Sequence, residues 1–411
     1  MRRARAGGGV PFVLISTVVV GCAVACSGGD ALSADPHVDD LPSLTLVEEL
    51  RLGDREDPDV GFSRVGAAVP TPDGGVVVLE QEARELRIFD IQGTLVRTMG
   101  GWGEGPGEFD RPTSMGLVGD TVWVRDPGNS RFTLFTLSGD LLTTVPILEV
   151  ELDQPVPGVV VMGVPSRLRS DGRFEGRVNV RNLAGPAEGL SGSAPILLFD
   201  ESGAVVDTAG EREWSVDPGM TIGGQAVPPL PPPFPESAIR LEVSEETTVR
   251  VHRRAATAAS ESTFSVVGLN PHGDTLFTSR FRYDPAPVPQ STSDTILDTR
   301  AQALAPVLQE SPDAVRRELE SALSLPHFFP SVSDARIGSD GTIWLRREDD
   351  GIQASRWILL EEDGAPRGAL ELPVGSSVHW SDRSHLWVVE LDAFDVPWLV
   401  RYEMEASEGS R

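Results

Sequence analysis

The stretch Leu86-Arg87-Ile88-Phe89-Asp90-Ile91-Gln92-Gly93-Thr94-Leu95-Val96 decides the fold. An apolar run ends at Phe89, Gly93 stands four residues on, and a second apolar run starts at Leu95. A strand, a tight turn with glycine and a return strand produce that pattern. It recurs at Phe135–Gly139, Phe199–Gly203, Leu269–Gly273 and Leu360–Gly364. Each copy follows a β-type run: Phe132-Thr133-Leu134, Pro195-Ile196-Leu197-Leu198, Phe264-Ser265-Val266-Val267 and Trp357-Ile358-Leu359. Self-similarity of this kind marks a repeat architecture.

A second pattern lies upstream. Phe62, Phe234 and Phe329 each stand twelve residues before a turn position, at Gly74, Glu246 and Gly341. Phe109 leads into a shorter turn at Gly119-Asp120. Strands follow these turns at Val76–Leu79, Val122–Val124, Val249–Val251 and Ile343–Leu345, and His385–Val389 follows Ser381-Asp382. Joined, the two patterns give four antiparallel strands per unit, which is a propeller blade. Six units start near Val60, Phe109, Gly158, Phe234, Phe329 and Pro373. The expectation is an all-β, six-bladed β-propeller over residues 43–411. The sixth unit lacks a strand after Val396–Met404, and Leu44–Leu52 lacks a blade. That N-terminal strand should complete blade six and close the ring, removing an exposed edge. Trp123, Trp344 and Trp387 recur at equivalent places and read as packing between blades.

Gly101-Trp102-Gly103-Glu104-Gly105-Pro106-Gly107-Glu108-Phe109, followed by Asp126-Pro127-Gly128-Asn129-Ser130-Arg131-Phe132, resembles an NHL-type repeat. The likeness is good over about 60–145 and weaker in blades five and six; blades three and four are degenerate. The whole chain is similar to six-bladed β-propeller lipoproteins of environmental bacteria. The resemblance implies fold and location and no particular chemistry. Asp126, Asn129 and Arg131 read as braces of a loop between strands. Two insertions interrupt the units, at about 204–233 and 284–328. The first ends in the polyproline-type run Val227–Pro233. The second should hold a short helix over 312–324, between blades four and five. Ser311 can cap it, Pro312 starts it, and Val315, Leu319 and Leu323 share a face. That helix either covers one mouth of the ring or decorates a blade edge.

The N-terminus carries Arg2, Arg3 and Arg5, then the apolar run Val10–Val20, then Gly21-Cys22-Ala23-Val24-Ala25-Cys26-Ser27-Gly28-Gly29-Asp30. This is the pattern of a secretory signal over 1–25. The apolar stretch is shorter than the roughly 20 residues of a membrane span. Its ending resembles a bacterial lipobox, with Cys26 as the lipidation site and Cys22 as the alternative. A lipid there would hold a water-soluble domain at a bilayer. Ser27 after Cys26 resembles the pattern for the outer membrane of Gram-negative bacteria. Residues 26–42 then read as a flexible tether.

Composition excludes several functions. There are 62 acidic and 35 basic residues, for a net charge of −27. A nucleic-acid partner would need a basic face. Every basic residue is Arg, so no Schiff-base or phosphate-loop lysine exists. The two Cys, both near the N-terminus, make neither a disulfide framework nor a zinc cluster. No nucleophile elbow occurs.

The expected role is therefore a lipid-anchored, monomeric module that binds a small anionic ligand or a protein partner. Arg64 and Arg111 stand two residues after Phe62 and Phe109, where paired guanidinium groups can take a carboxylate or phosphate. Asp110 lies beside Arg111. Two alternatives remain. One is a hydrolase or lyase with Ca or Zn in the channel, held by residues such as His327, His379, Asp334 and Asp110. The other is a structural scaffold of the envelope. On the main reading no cofactor and no catalytic residue are needed.

Overall fold

The computed structural model describes residues 35–57, 59–153, 159–182, 190–216, 220–222, 225–227, 239–252, 262–322, 327–347 and 354–406. The lipobox cysteines, Phe234 and the polyproline run from Pro228 lie outside the described residues.

The chain opens with the outer strand of the last blade, β1 (Leu44–Leu52). Blade one is β2 (Val65–Pro70), β3 (Val76–Glu80), β4 (Glu85–Phe89) and β5 (Leu95–Gly100). Blade two is β6 (Ser114–Val118), β7 (Thr121–Asp126), β8 (Arg131–Thr136) and β9 (Leu141–Pro146). Blade three adds an inner strand, β10 (Val150–Leu152), to β11 (Val159–Leu168), β12 (Phe174–Asn182), β13 (Leu190–Phe199) and β14 (Val205–Val216). A hairpin of β15 (Met220–Ile222) and β16 (Gln225–Val227) follows. Blade four is β17 (Ile239–Val243), β18 (Thr248–His252), β19 (Thr263–Leu269) and β20 (Thr275–Arg282). After helices α1 (Gln290–Leu308) and α2 (Pro312–Ala322), blade five is β21 (Asp334–Ile337), β22 (Ile343–Arg346), β23 (Ala354–Leu360) and β24 (Pro366–Pro373). Blade six is β25 (Ser377–Ser381), β26 (His385–Leu391), β27 (Pro397–Ala406) and, from the far end of the chain, β1. The structure thus bears out the six-bladed propeller and its closure by residues 44–52, with Leu44 opposite Ala406 and Leu52 opposite Leu399.

The glycines of the repeat do the work expected of them. Gly93, Gly139, Gly203, Gly273 and Gly364 all have φ between 80° and 91°. In each turn the glycine N–H donates to the carbonyl three residues back, as from Gly93 to Asp90 at 2.9 Å. A side chain with a Cβ resists that left-handed conformation.

Second strands are sandwiched between neighbouring blades. All five residues of β3 are buried, so the strand reads as a continuous apolar run. Outer strands such as β5 are mostly exposed. Apolar clusters join blade to blade: Val77 and Leu79 meet Val122 and Val124 between blades one and two. Trp123 shares a cluster with Phe174, Trp344 with Leu386, and Trp387 with Val76, each cluster spanning a blade boundary.

Three expectations on the chain's organisation change in detail. Residues 205–216 are the outer strand of blade three, so the insertion after it starts later than 204. The second insertion holds two helices, because α1 precedes the expected one. Leu297, Leu304, Val315 and Leu319 pack with Ile222, so the helices bury their apolar faces against the other insertion. Finally, residues 35–42 of the expected tether are docked. Val38 is fully buried between blades four and five, and Arg282 and Arg356 hold the flanking backbone.

Candidate functional site

Antiparallel order gives the ring two distinct faces. Connections between blades, and turns between second and third strands, emerge on one face. Turns between first and second strands, and between third and fourth, emerge on the other. The inter-blade face carries Arg64, Arg111, Trp102 and the helical insertion. The opposite face carries tight turns, and there the channel widens into a cavity of about 880 Å³.

Blades two to six build this cavity. Met115, Arg167 and Ser170 come from blades two and three. The turn Ser244-Glu245-Glu246-Thr247 comes from blade four. Arg336 to Gly341 and Glu362 come from blade five, and Val378 to Ser381 from blade six. First strands converge at a propeller's axis, so residues far apart in sequence meet there.

Some of the lining charge is already neutralised. Glu245 accepts hydrogen bonds from the Ser170 N–H and hydroxyl, both at 2.9 Å. Asp340 accepts from the Thr342 hydroxyl at 2.8 Å and from the Arg383 N–H at 2.8 Å. Arg167 donates to buried Glu175 at 2.8 Å, where Arg169 also donates at 2.9 Å. Arg336 is different. Its Nε lies 3.6 Å from the Asp334 carboxylate and, though buried, has no hydrogen-bond acceptor. Glu246 and Glu362 make no side-chain ion pair or hydrogen bond among the described residues. His379 shares a 3.1 Å hydrogen bond with the Ser377 hydroxyl. Burial, and then the nearby Arg336 guanidinium, push its pKa down to about 4, so it is neutral at pH 7.

Of the sequence-predicted residues, His379 lines this cavity and Asp334 touches Arg336. His327 is exposed on the chain leading into blade five and contributes its carbonyl to the Val288 N–H. These three do not converge. Among the described residues, the group of His, Asp or Glu side chains whose ligand atoms lie mutually within 4.8 Å is His37, Asp39 and Asp284. It lies beside the docked N-terminal segment, away from the channel cavity.

Arg64 and Arg111 do occupy equivalent places. Buried Glu80 accepts from the Arg64 N–H at 3.0 Å, and buried Asp126 accepts from the Arg111 N–H at 2.8 Å. Their side chains are 65% and 73% exposed, with Nε facing Glu82 at 3.4 Å and Asp110 at 3.5 Å. Neither lines the cavity. The brace role of Asp126, Asn129 and Arg131 is plain: Asn129 donates to the Gly103 carbonyl at 2.9 Å and Arg131 to the Gly105 carbonyl at 2.5 Å. Sequence reasoning missed Arg336, Glu245, Glu246 and Glu362 as site residues. Their shared signal is position beside the turns of blades four and five.

No family model and no curated protein matches the chain. Among solved structures, the chain is similar to a protein of Bacteroides fragilis described as exported. That similarity has 9% identity and a TM-score of 0.47, covering 91% of this chain and 98% of the other. A member of the DUF4221 family from Bacteroides vulgatus gives 11% identity and 0.40, covering 88% and 98%. The PQQ-bound aldose sugar dehydrogenase of Streptomyces coelicolor gives 11% and 0.39, covering 88% and 98%. At such identities these likenesses carry no assignment of ligand or activity. No helix among the described residues is long and apolar enough to cross a membrane.

Proposed function

We propose that this chain is an exported lipoprotein of the cell envelope whose propeller binds a small ligand through an anionic group. The cavity where five blades converge carries the reading. Its size falls within the 300–1,000 Å³ usual for small-molecule sites. Its Arg336 offers a guanidinium whose Nε lacks an acceptor, and Arg is suited to carboxylate or phosphate. The rigid ring fixes these groups without reorganisation on binding. The N-terminal Arg-rich, apolar and Cys26-containing sequence supports export and lipid anchoring, and Ser27 supports the outer membrane of a Gram-negative bacterium. The Gly101–Arg131 region supports an NHL-type ancestry for the blades. Binding is favoured over metal-dependent hydrolysis because Asp340 already accepts from Thr342 and Arg383, and Glu245 from Ser170.

The test is thermal-shift and calorimetric titration of the full-length protein with carboxylate- and phosphate-bearing small molecules. A ligand at 100 times its Kd should stabilise the protein by about 2.7 kcal/mol. Arg336→Gln should abolish that response while keeping the unliganded melting midpoint. A second reading places the anion on Arg64 and Arg111, because both side chains are largely exposed. It predicts the opposite dependence: loss in Arg64→Ala/Arg111→Ala and no change in Arg336→Gln.

A further inference from the structure

We propose that the ligand of the channel cavity is a zwitterion, an amino acid or short peptide, whose carboxylate meets Arg336 and whose ammonium meets Glu246 and Glu362. This rests on the cavity reading above and narrows its ligand.

The charges that line the cavity differ in what already holds them. Arg167, Glu245 and Asp340 are tied to protein partners at 2.8–2.9 Å. A ligand competing for them would break existing bonds. What remains is one cation, Arg336, and two carboxylates, Glu246 and Glu362. Arg336 has only a 3.6 Å contact with Asp334 and a buried Nε without an acceptor. The carboxylates of Glu246 and Glu362 have no side-chain hydrogen bond or ion pair among the described residues. Neutral His379 beside Arg336 adds a hydrogen-bonding ring and no charge.

A plain anion reaching Arg336 would share the cavity with two unneutralised carboxylates, and like charges repel. A plain cation would share it with Arg336. A molecule with both charges is matched to both. Long-range attraction points the same way. The chain carries −27, so its field repels anions before they reach the mouth. A zwitterion has no net charge and escapes that barrier. Five blades contribute to the lining, and Thr247, Ser339 and Ser381 add polar groups that suit amide or α-substituent atoms.

The test titrates the full-length protein by calorimetry with the twenty common free amino acids, glycylglycine and triglycine. Each is paired with its N-acetyl form, which lacks the ammonium, and its C-amide form, which lacks the carboxylate. The expected result is that at least one zwitterion binds and that both blocked forms bind at least tenfold more weakly. Arg336→Gln should remove the preference over the C-amide. Glu246→Gln/Glu362→Gln should remove the preference over the N-acetyl form, and the residues lie on exposed turns where the fold should survive. If an N-acetyl form binds as well as its zwitterion and still depends on Arg336, the zwitterion inference falls and the anion-binding reading stands. If no member of the panel binds, zwitterionic or blocked, the inference is overturned. Should simple carboxylates or phosphates then bind in an Arg336-dependent way, the broader reading survives alone.

Discussion

Arg51 reaches across the seam of the ring to Glu390, guanidinium to carboxylate at 2.9 Å. Arg51 lies on β1 and Glu390 on β26, with β27 between them. The same guanidinium holds Glu48 at 2.7 Å, and the Tyr402 hydroxyl donates to Glu390 at 2.5 Å. Glu48, then Glu390, raise the Arg51 pKa above its usual range, and the Arg51 hydrogen bond lowers that of Glu48. Three of the four strands of blade six are therefore tied by one polar cluster.

Breaking that cluster should loosen closure. Glu390 is 11% exposed and Arg51 is 35% exposed, so the pair is only partly screened. Glu390→Ala leaves Arg51 and Tyr402 without that acceptor, and we expect a loss of about 2–3 kcal/mol in urea denaturation. A loss below about 0.5 kcal/mol would show that backbone pairing of β1 alone carries closure.

Removing the strand altogether is the stronger test. Deleting residues 44–52 bares the edge of β27 and part of the apolar clusters containing Leu44, Leu46 and Leu52. Unpaired edges recruit other chains. Light scattering should report aggregates, and a monomer with the parental melting midpoint would refute the role of β1.

The docked N-terminal segment depends on Val38. Its side chain is fully buried among Val251, Phe281, Ile343 and Ile358 and their neighbours. Val38→Asp places a carboxylate there, so residues 35–42 should detach and become cleavable by a mild protease. Mass mapping of the first cuts checks this. The ring itself should still unfold cooperatively, with a loss of about 1.5–3 kcal/mol for the burial of Val38.

Acid should weaken the fold partly through His379. An unfolded chain's imidazole protonates near its ordinary value of 6.5, whereas the folded one protonates only near 4. Between these values the unfolded state binds more protons, so stability falls as pH drops from 6.5 to 4. For this partly buried ring we expect about 1–2 kcal/mol. His379→Asn should flatten the stability profile over that window by this amount. An unchanged slope would place the acid sensitivity on carboxylates instead.

Lipidation is testable at the residue level. Acyl labelling followed by mass spectrometry of the processed N-terminus should find lipid on Cys26 and lose it in Cys26→Ala. Label that persists there and disappears in Cys22→Ala moves the anchor to Cys22. Absence of label from the natural chain removes the anchor from the proposal.

Local signals in the sequence carried the ring. Gly93 and its four counterparts were legible because a left-handed turn position favours a residue without a Cβ. Leu44–Leu52 was legible as a strand left without a blade. Other features had no local signature. The outer strand Val205–Val216 mixes Asp207, Glu211, Arg212 and Glu213 into its pattern, which hides it beside an insertion. Helix α1 opens on Ser and Thr and contains Pro306, which mask its apolar face. Val38 stands next to Asp39 and Asp40, so nothing nearby announces burial. The cavity was hidden for a deeper reason. Arg167, Glu246, Arg336 and His379 sit on four blades, and only closure of the ring brings them to one axis.

The pairing of β1 with β27 also sets an order of events during biogenesis. The partners stand about 350 residues apart in sequence, among the least local contacts a chain of this length can make. Among the described strands the earliest made is thus the last to find its place. Through most of synthesis β1 has no partner, and blade six stays incomplete until β27 has emerged. The same delay leaves Leu44, Leu46 and Leu52 without their packing partners until the ring is finished.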